Sequence, residues 1–212
     1  MGRLYDATWG RAFTAVYDRA FKATEEAGLR RMRGELLAEA EGRVLELGAG
    51  TGANLELYPD SIERLLLTEP DPHMAKRLRS KLAESGRAAE VVEAPAERLP
   101  FEDSSFDTVV VTLVLCTVPD PEAALTEVAR VLKPGGRFLF IEHVRAREPG
   151  LARWQDRLER PWRFVGDGCH CNRDTVATIA ASPLSLGDVR RDKLPKAVPI
   201  VEPLVRGGAT AP

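Results

Sequence analysis

The residues of this chain with the clearest chemical potential are Glu46-Leu47-Gly48-Ala49-Gly50-Thr51-Gly52, a carboxylate followed by three glycines at alternate positions. They stand where a short run bearing leucine and valine hands over to a stretch compatible with a helix. Glycine at such a turn accepts positive φ and lets a ligand come close to the backbone. Glu69 lies 17 residues beyond Gly52, at the end of the next strand-like run. A carboxylate at that place accepts hydrogen bonds from the two hydroxyls of a ribose. A dinucleotide-binding turn tolerates the Ala at position 53, but Glu46 would face a pyrophosphate poorly. A cation suits Glu46 better. S-adenosylmethionine carries a ribose, an adenine, a sulfonium and an ammonium group and no phosphate, so it is the ligand these residues predict. The bland alternative is a strand–turn–helix whose glycines are only structural.

His143 ends an apolar run and would stand at the carboxyl end of a parallel strand, the edge at which open α/β sheets bind ligands. It is the candidate base or acceptor-orienting group, histidine being the usual acid–base residue. The plain alternative is a loop cap or a backbone hydrogen bond. Asp167 is a second candidate for handling a proton. Cys116 reads as a small buried hydrophobe. Cys169-His170-Cys171 invites a metal reading. Adjacent ligands without a second cluster do not match the usual separation of about two to four residues between cysteine ligands. No metal is therefore expected, and the segment reads as a loop near an acceptor pocket. Trp154 and Trp162 read either as pocket lining or as core. Arg30-Arg31-Met32-Arg33 reads as a solvated helix face.

The elements that must position these groups alternate in type. Strands are predicted over 43–47, 64–69, 89–93, 107–115 and 137–143, the fourth apolar enough to be buried on both faces. Helices are predicted over 72–85 and 122–132, the second stopped by Lys133-Pro134-Gly135-Gly136. Alternation of this kind implies a parallel sheet with right-handed crossovers. Further on, 151–165 reads as a helix interrupted at Pro161, and 172–181 as another capped near Asn172 or Arg173. Segments 189–194 and 198–205 read as an antiparallel hairpin, since Pro195, Pro199 and Pro203 fit a sheet edge better than its centre. The first 42 residues read as helical, broken at Gly28, with a second helix over 29–40. Leu4, Tyr5, Trp9, Phe13, Val16, Tyr17, Ala20 and Phe21 recur there at steps of three and four. That stripe has three readings: ordinary core packing, a lid that keeps water from the acceptor, or membrane-surface contact with Arg3, Arg11, Arg19 and Lys22 on its polar face.

Composition narrows the class. Hydrophobic residues make up 44% and charged residues 29% of the 212, values of a soluble globular protein. Thirty basic residues against 32 acidic ones argue against a protein that lives on nucleic-acid phosphates. The longest apolar run, 109–118, falls short of the roughly 20 residues that span a bilayer. Three cysteines are too few for a disulfide scaffold, and the start of the chain has no basic segment followed by an apolar core. The expectation is one cytoplasmic domain over 1–212, with 1–42 a helical extension or lid.

At these residues the chain resembles the class I S-adenosylmethionine-dependent methyltransferases. Val44-Leu45-Glu46-Leu47-Gly48-Ala49-Gly50-Thr51-Gly52 is similar to their glycine-rich motif. Leu99-Pro100-Phe101 with Ser105-Phe106-Asp107 resembles the approach to their fourth strand, and Arg130-Val131-Leu132-Lys133-Pro134-Gly135-Gly136 the approach to their fifth. A finer resemblance is to the microsomal alkyl-thiol S-methyltransferase group of animals. It rests on Asn54 after the glycines, Tyr58-Pro59, Thr112-Leu113-Val114-Leu115-Cys116, Glu142-His143-Val144, Pro161-Trp162, and Asp167-Gly168-Cys169 with Arg173. Those proteins carry an N-terminal membrane anchor, and the lack of a comparable apolar run here implies a soluble form.

The resemblance implies an α/β fold, a single-domain Rossmann-like methyltransferase sheet, mostly parallel, with an antiparallel edge hairpin. It also implies roles. Gly48, Gly50 and Gly52 bring backbone to the cofactor, with Glu46 near its ammonium end and Asn54 among its neighbours. Glu69 holds the ribose, Pro70 and Met74 flank the adenine, and Thr112 and Leu113 line the methionine end. Many relatives place Asp before an Ala-Glu pair to bind the adenine amino group; here Pro95 precedes Ala96-Glu97, so that contact falls to Glu97 or to backbone. The implied reaction moves a methyl group to a small apolar acceptor, a thiol first, leaving S-adenosylhomocysteine. The alternatives are N-methylation of phosphatidylethanolamine, methylation of a quinone or other small molecule, and a cofactor-binding protein without catalysis. The expected partner is a small molecule and not nucleic acid, with transient membrane contact through the N-terminal helix open and the oligomeric state undetermined.

Overall fold

Val109, Val110 and Val111 are all fully buried, as a strand covered on both faces requires. They belong to Phe106–Thr112 (β4), the middle strand of a seven-stranded sheet in the computed structural model, which describes residues 21–212. The other strands are Arg43–Leu47 (β1), Arg64–Thr68 (β2), Ala89–Val92 (β3), Leu132–His143 (β5), Ser185–Lys193 (β6) and Pro203–Thr210 (β7). Their order is β3-β2-β1-β4-β5-β7-β6. β3 to β5 run parallel, while β7 lies antiparallel to both β5 and β6. Alternating side chains feed two apolar layers. Leu45, Leu47, Val109, Val111, Phe138 and Phe140 enter one, and Val44, Leu65, Leu67, Val110, Leu139 and Ile141 the other.

The helices are Arg30–Leu37 (α1), Pro72–Ser85 (α2), Pro121–Val131 (α3), Pro149–Val165 (α4) and Thr175–Ala181 (α5). Asp71, Asp120, Glu148 and Asp174 stand at the N-caps of α2 to α5, where their carboxylates accept first-turn amides. Each cap contributes about 1 kcal/mol, and proline opens α2, α3 and α4, where its missing N–H costs nothing.

The parallel sheet and the antiparallel edge hairpin are as expected, with differences in detail. Gly28 bends the N-terminal helix rather than ending it: at φ 146° it sits in a π-helical turn, Glu25–Leu29, that runs directly into α1. β4 stops at Thr112 because Leu113 turns to φ 63°. Segment 133–136 does not lie outside β5 but forms an irregularity within it, between the Phe106–Leu132 and Thr108–Arg137 pairs. α4 runs unbroken through Pro161. α5 is capped by Asp174, not by Asn172 or Arg173. β7 starts at Pro203 rather than 198, since Pro199–Val201 takes a 3-10 turn first. The aromatic stripe over residues 4–20 lies outside the described residues. Among the described ones, no helix is long and apolar enough to cross a membrane.

Candidate active site

The glycine turn follows β1 directly. Gly48 has φ 60°, and a Cβ there would lie 2.8 Å from a Val114 methyl, so only glycine fits. Gly50, at φ 57°, is open: an added Cβ would meet nothing within 4 Å. Its amide donates to Oε2 of Glu69 at 2.8 Å, and the Asp71 amide donates to Oε1 at 2.9 Å. An ionised carboxylate has about four acceptor positions, so both oxygens retain capacity for ligand hydroxyls. Burial pushes the Glu69 carboxyl up to about 7, and the charges of Asp71 and Asp167 act in the same direction against the two amide bonds. This also locates Asp167: it lies within electrostatic reach of the proposed ribose carboxylate, on a loop at φ 51°.

Behind the turn is a buried polar cluster. Glu46 is enclosed, its Oε1 accepting from Nδ2 of Asn54 and its Oε2 from the Tyr58 hydroxyl, both at 2.8 Å. Burial raises its pKa. Asn54 Nδ2 also donates to Oγ1 of Thr112 at 3.0 Å. On the other side is Arg33, 3% exposed, whose Nη1 donates to Oδ1 of Asn54 at 3.1 Å and Oγ1 of Thr112 at 2.5 Å. Its Nε meets Glu25 at 3.1 Å.

The expectation of a solvated face over 30–33 is thus half wrong. Arg30 and Arg31 are exposed, whereas Met32 and Arg33 are buried. Leu29, Met32, Leu36 and Leu37 form the apolar stripe of this helix, and Arg33 falls in phase with it. That phase was the available signal. Arg33→Ala should cost about 1–3 kcal/mol, because Asn54 loses a buried donor; a lower urea midpoint with an unchanged slope would show it.

A second cluster lies one strand over. Leu113 turns the chain so that the amides of Val114, Leu115 and Cys116 converge on buried Glu142, at 2.7, 2.9 and 3.3 Å. His143 follows Glu142 at the carboxyl end of β5, 4% exposed. Its Nε2 lies 2.9 Å from Sγ of Cys169, while its buried Nδ1 has no hydrogen-bond partner. Trp162 donates its indole N–H to the same sulfur at 3.2 Å. So Trp162 joins this cluster, and Trp154 is exposed beneath the Arg157 guanidinium. The loop between α4 and α5 therefore reaches from the side of Glu69, through Asp167, to His143, through Cys169.

The remaining residues expected at the cofactor are less committed. Glu97 accepts the Asp120 amide at 3.2 Å and so steadies the approach to α3. Ala96 is buried, Met74 half-buried and Pro70 exposed. Gly52, at φ 83°, has Leu55 and Leu78 packed where a Cβ would be, and its carbonyl accepts from Lys81 at 2.9 Å.

A glycine turn after β1, a carboxylate just past β2 and the polar clusters at the carboxyl edge of β4 and β5 are the arrangement of a nucleoside-binding α/β enzyme. A family model described as a methyltransferase domain matches residues 45–140, from β1 into β5. With relatives more than 30% identical over most of its length, the chain belongs to the class I S-adenosylmethionine-dependent methyltransferases. It is 39% identical over 179 residues to thiol S-methyltransferase TMT1B of Homo sapiens, covering 82% of this chain and 73% of that one. Against TMT1B of Rattus norvegicus it is 42% identical over 149 residues, covering 68% of this chain and 61% of the relative. The crystal structure of YcgJ from Bacillus subtilis superposes with a TM-score of 0.64 at 27% identity, covering 78% of this chain and 71% of that one. S-adenosylmethionine is the cofactor of the family, and the open cradle at Gly50 facing the Glu69 carboxylate fits its ribose.

Proposed function

We propose that this chain transfers a methyl group from S-adenosylmethionine to a small apolar acceptor, and that the acceptor is a thiol. The observation that carries the reading is the imidazole of His143 held 2.9 Å from a sulfur at the carboxyl edge of β5. The strand edge already holds a sulfur there, with an indole N–H directed at it. The TMT1B relatives support the same acceptor class.

When bound, the cofactor supplies a methyl group made electrophilic by its sulfonium. Glu69 accepts from the ribose hydroxyls. Arg33 and Glu46, opposite charges separated by Asn54, suit the carboxylate and the ammonium of a methionine. Thr112 and Leu113 line the path from there to the acceptor. His143 orients the acceptor, and the Asp167 loop covers it. Methyl transfer needs the acceptor about 3 Å from the methyl and in line with it, and such positioning supplies much of the rate. A thiol with a pKa of about 8.5 is a few per cent thiolate at neutral pH, so deprotonation is a small part of the barrier. The reading takes a small-molecule partner and a cytoplasmic setting.

The test is to incubate the full chain with labelled S-adenosylmethionine and a panel of thiols, amines, phenols and phosphatidylethanolamine vesicles. Apolar thiols should yield S-adenosylhomocysteine and the matching thioether. His143→Ala should lower kcat/KM for the thiol by about tenfold or more while leaving S-adenosylhomocysteine affinity nearly unchanged. Methylation confined to vesicles would replace this acceptor with a lipid amine, and no turnover on any member would reduce the chain to a binder.

A further inference from the structure

The three side chains at the carboxyl edge of β4 and β5 come from distant parts of the chain: Cys116 after β4, His143 ending β5, and Cys169 between α4 and α5. One ligand-capable atom of each lies within 4.8 Å of the other two, and each residue is less than a tenth exposed. The cysteines are free thiols. The neighbours of Cys169 in sequence are engaged elsewhere: His170 Nδ1 pairs with Glu159 at 2.8 Å, and Cys171 points its sulfur at the Gln155 carbonyl at 3.6 Å. The consecutive Cys-His-Cys of the sequence is therefore not a unit. A different Cys–His–Cys set is assembled by the fold.

We propose that Cys116, His143 and Cys169 bind a soft divalent cation, zinc by preference, and that its open fourth position takes the sulfur of the acceptor. Two thiolates and an imidazole are the donors that select zinc over hard cations. Around a tetrahedral zinc, with Zn–S about 2.3 Å and Zn–N about 2.0 Å, such donors stand roughly 3.5–3.8 Å from one another. The His143–Cys169 pair reaches that spacing by opening less than about 1 Å from its 2.9 Å contact, and the Cys116 sulfur stands within 4.8 Å of both, close enough to close on a shared ion. Arg173 donates to the Leu115 and Val118 carbonyls at 2.6 and 2.7 Å and so braces the turn that carries Cys116. Three protein ligands leave the fourth place of a tetrahedral zinc to an exchangeable group, the pattern of a reacting zinc rather than a structural one.

The position suits the reaction. Ile141 is the register partner of Thr112, so His143 stands two residues beyond the level of the proposed methionine end. Gly48 packs against Val114, two residues before Cys116. A thiol entering the fourth position loses its proton to solvent. Its sulfur lone pair then forms the new S–C bond while the donor's C–S bond breaks, leaving that electron pair on the donor sulfur as a neutral thioether. The methylated product is a thioether, a weaker ligand than a thiolate, and leaves. The last part rests on the thiol reading of the acceptor; the metal site itself does not.

The probe is cobalt(II), titrated anaerobically into the reduced full chain, with zinc affinity read by competition against a chromophoric chelator. About one equivalent should bind with intense thiolate-to-cobalt charge-transfer absorption and tetrahedral visible bands. Cys116→Ser and Cys169→Ser should each lose about half of the charge transfer, His143→Ala should weaken binding while retaining it, and Cys171→Ser should match the wild type. Adding an apolar thiol to the cobalt form should strengthen the charge-transfer band, and the corresponding thioether should not. Absence of a charge-transfer band in the wild type, or equal loss in Cys171→Ser, would overturn the metal site. With the site intact, no response to thiol, or thiol methylation at full rate by the metal-free chain, would overturn the metal's part in holding the acceptor, and a cobalt spectrum without thiol methylation would sink the acceptor assignment.

Discussion

Glu69→Gln should lower affinity for S-adenosylhomocysteine about 10- to 100-fold by calorimetry, the loss of charge-assisted hydrogen bonds to two ribose hydroxyls. The fold should survive, since the Gln carbonyl oxygen can still take one of the two amides from Gly50 and Asp71. The same residue sets a pH dependence. Its folded pKa of about 7 lies above the ordinary value of 4.5, and burial is the main cause. A raised acid contributes stability that is fully present below 4.5 and is lost as pH climbs to about 7, amounting to roughly 3 kcal/mol. Ribose hydroxyls bond more strongly to the ionised form, so ligand binding favours release of this proton below pH 7. Wild-type affinity should therefore increase by up to about tenfold per pH unit from pH 5.5 and level off above 7, while the Gln variant shows no such slope. The neighbouring charges are Asp71 and Asp167, both of which raise the midpoint. A flat wild-type profile would remove Glu69 from the ribose.

The second large effect is on stability. Glu142→Ala should cost about 3–5 kcal/mol in urea unfolding, because three buried amides lose their acceptor and a cavity replaces the side chain. Glu142→Gln should cost about 1–3 kcal/mol, since its carbonyl oxygen still serves Val114 and Leu115 while its NH2 opposes the Cys116 amide. The order Ala worse than Gln is the diagnostic. An Ala variant within 1 kcal/mol of the wild type would mean that the loop after β4 is held by other contacts. Both variants should also disturb the Cys116 position and with it acceptor turnover.

These two residues divide along what local pattern can carry. Glu69 is legible as a candidate because its place is set by sequence distance: it follows the strand after the glycine turn, β1 pairs with β2 in parallel, and its carboxylate accepts the Gly50 amide. Glu142 looked like any acid beside His143. Its three amide partners arise from the turn at Leu113, 29 residues earlier, and nothing local announces that turn. The hairpin boundaries slipped for a related reason. Apolar alternation predicts a strand from 198, but Pro195, Pro199 and Lys196 at φ 54° shape the segment between β6 and β7 into turns first.

What the sequence by itself determined is the alternating architecture, the glycine turn with its acidic partner, and the cofactor that pair selects. Each depends on side-chain period, backbone freedom or short spacing, which are properties of neighbouring residues. Only the tertiary structure decided that Arg33 is buried beside Asn54 and Thr112, and that Cys169 leaves its sequence neighbours to meet His143 and Cys116. Those groups come together through strand pairing and loop return over 26 residues or more in the cysteine–histidine set, and over 79 between Arg33 and Thr112. Burial at that range is set by which faces the sheet and helices bring into contact, and no window along the chain contains it.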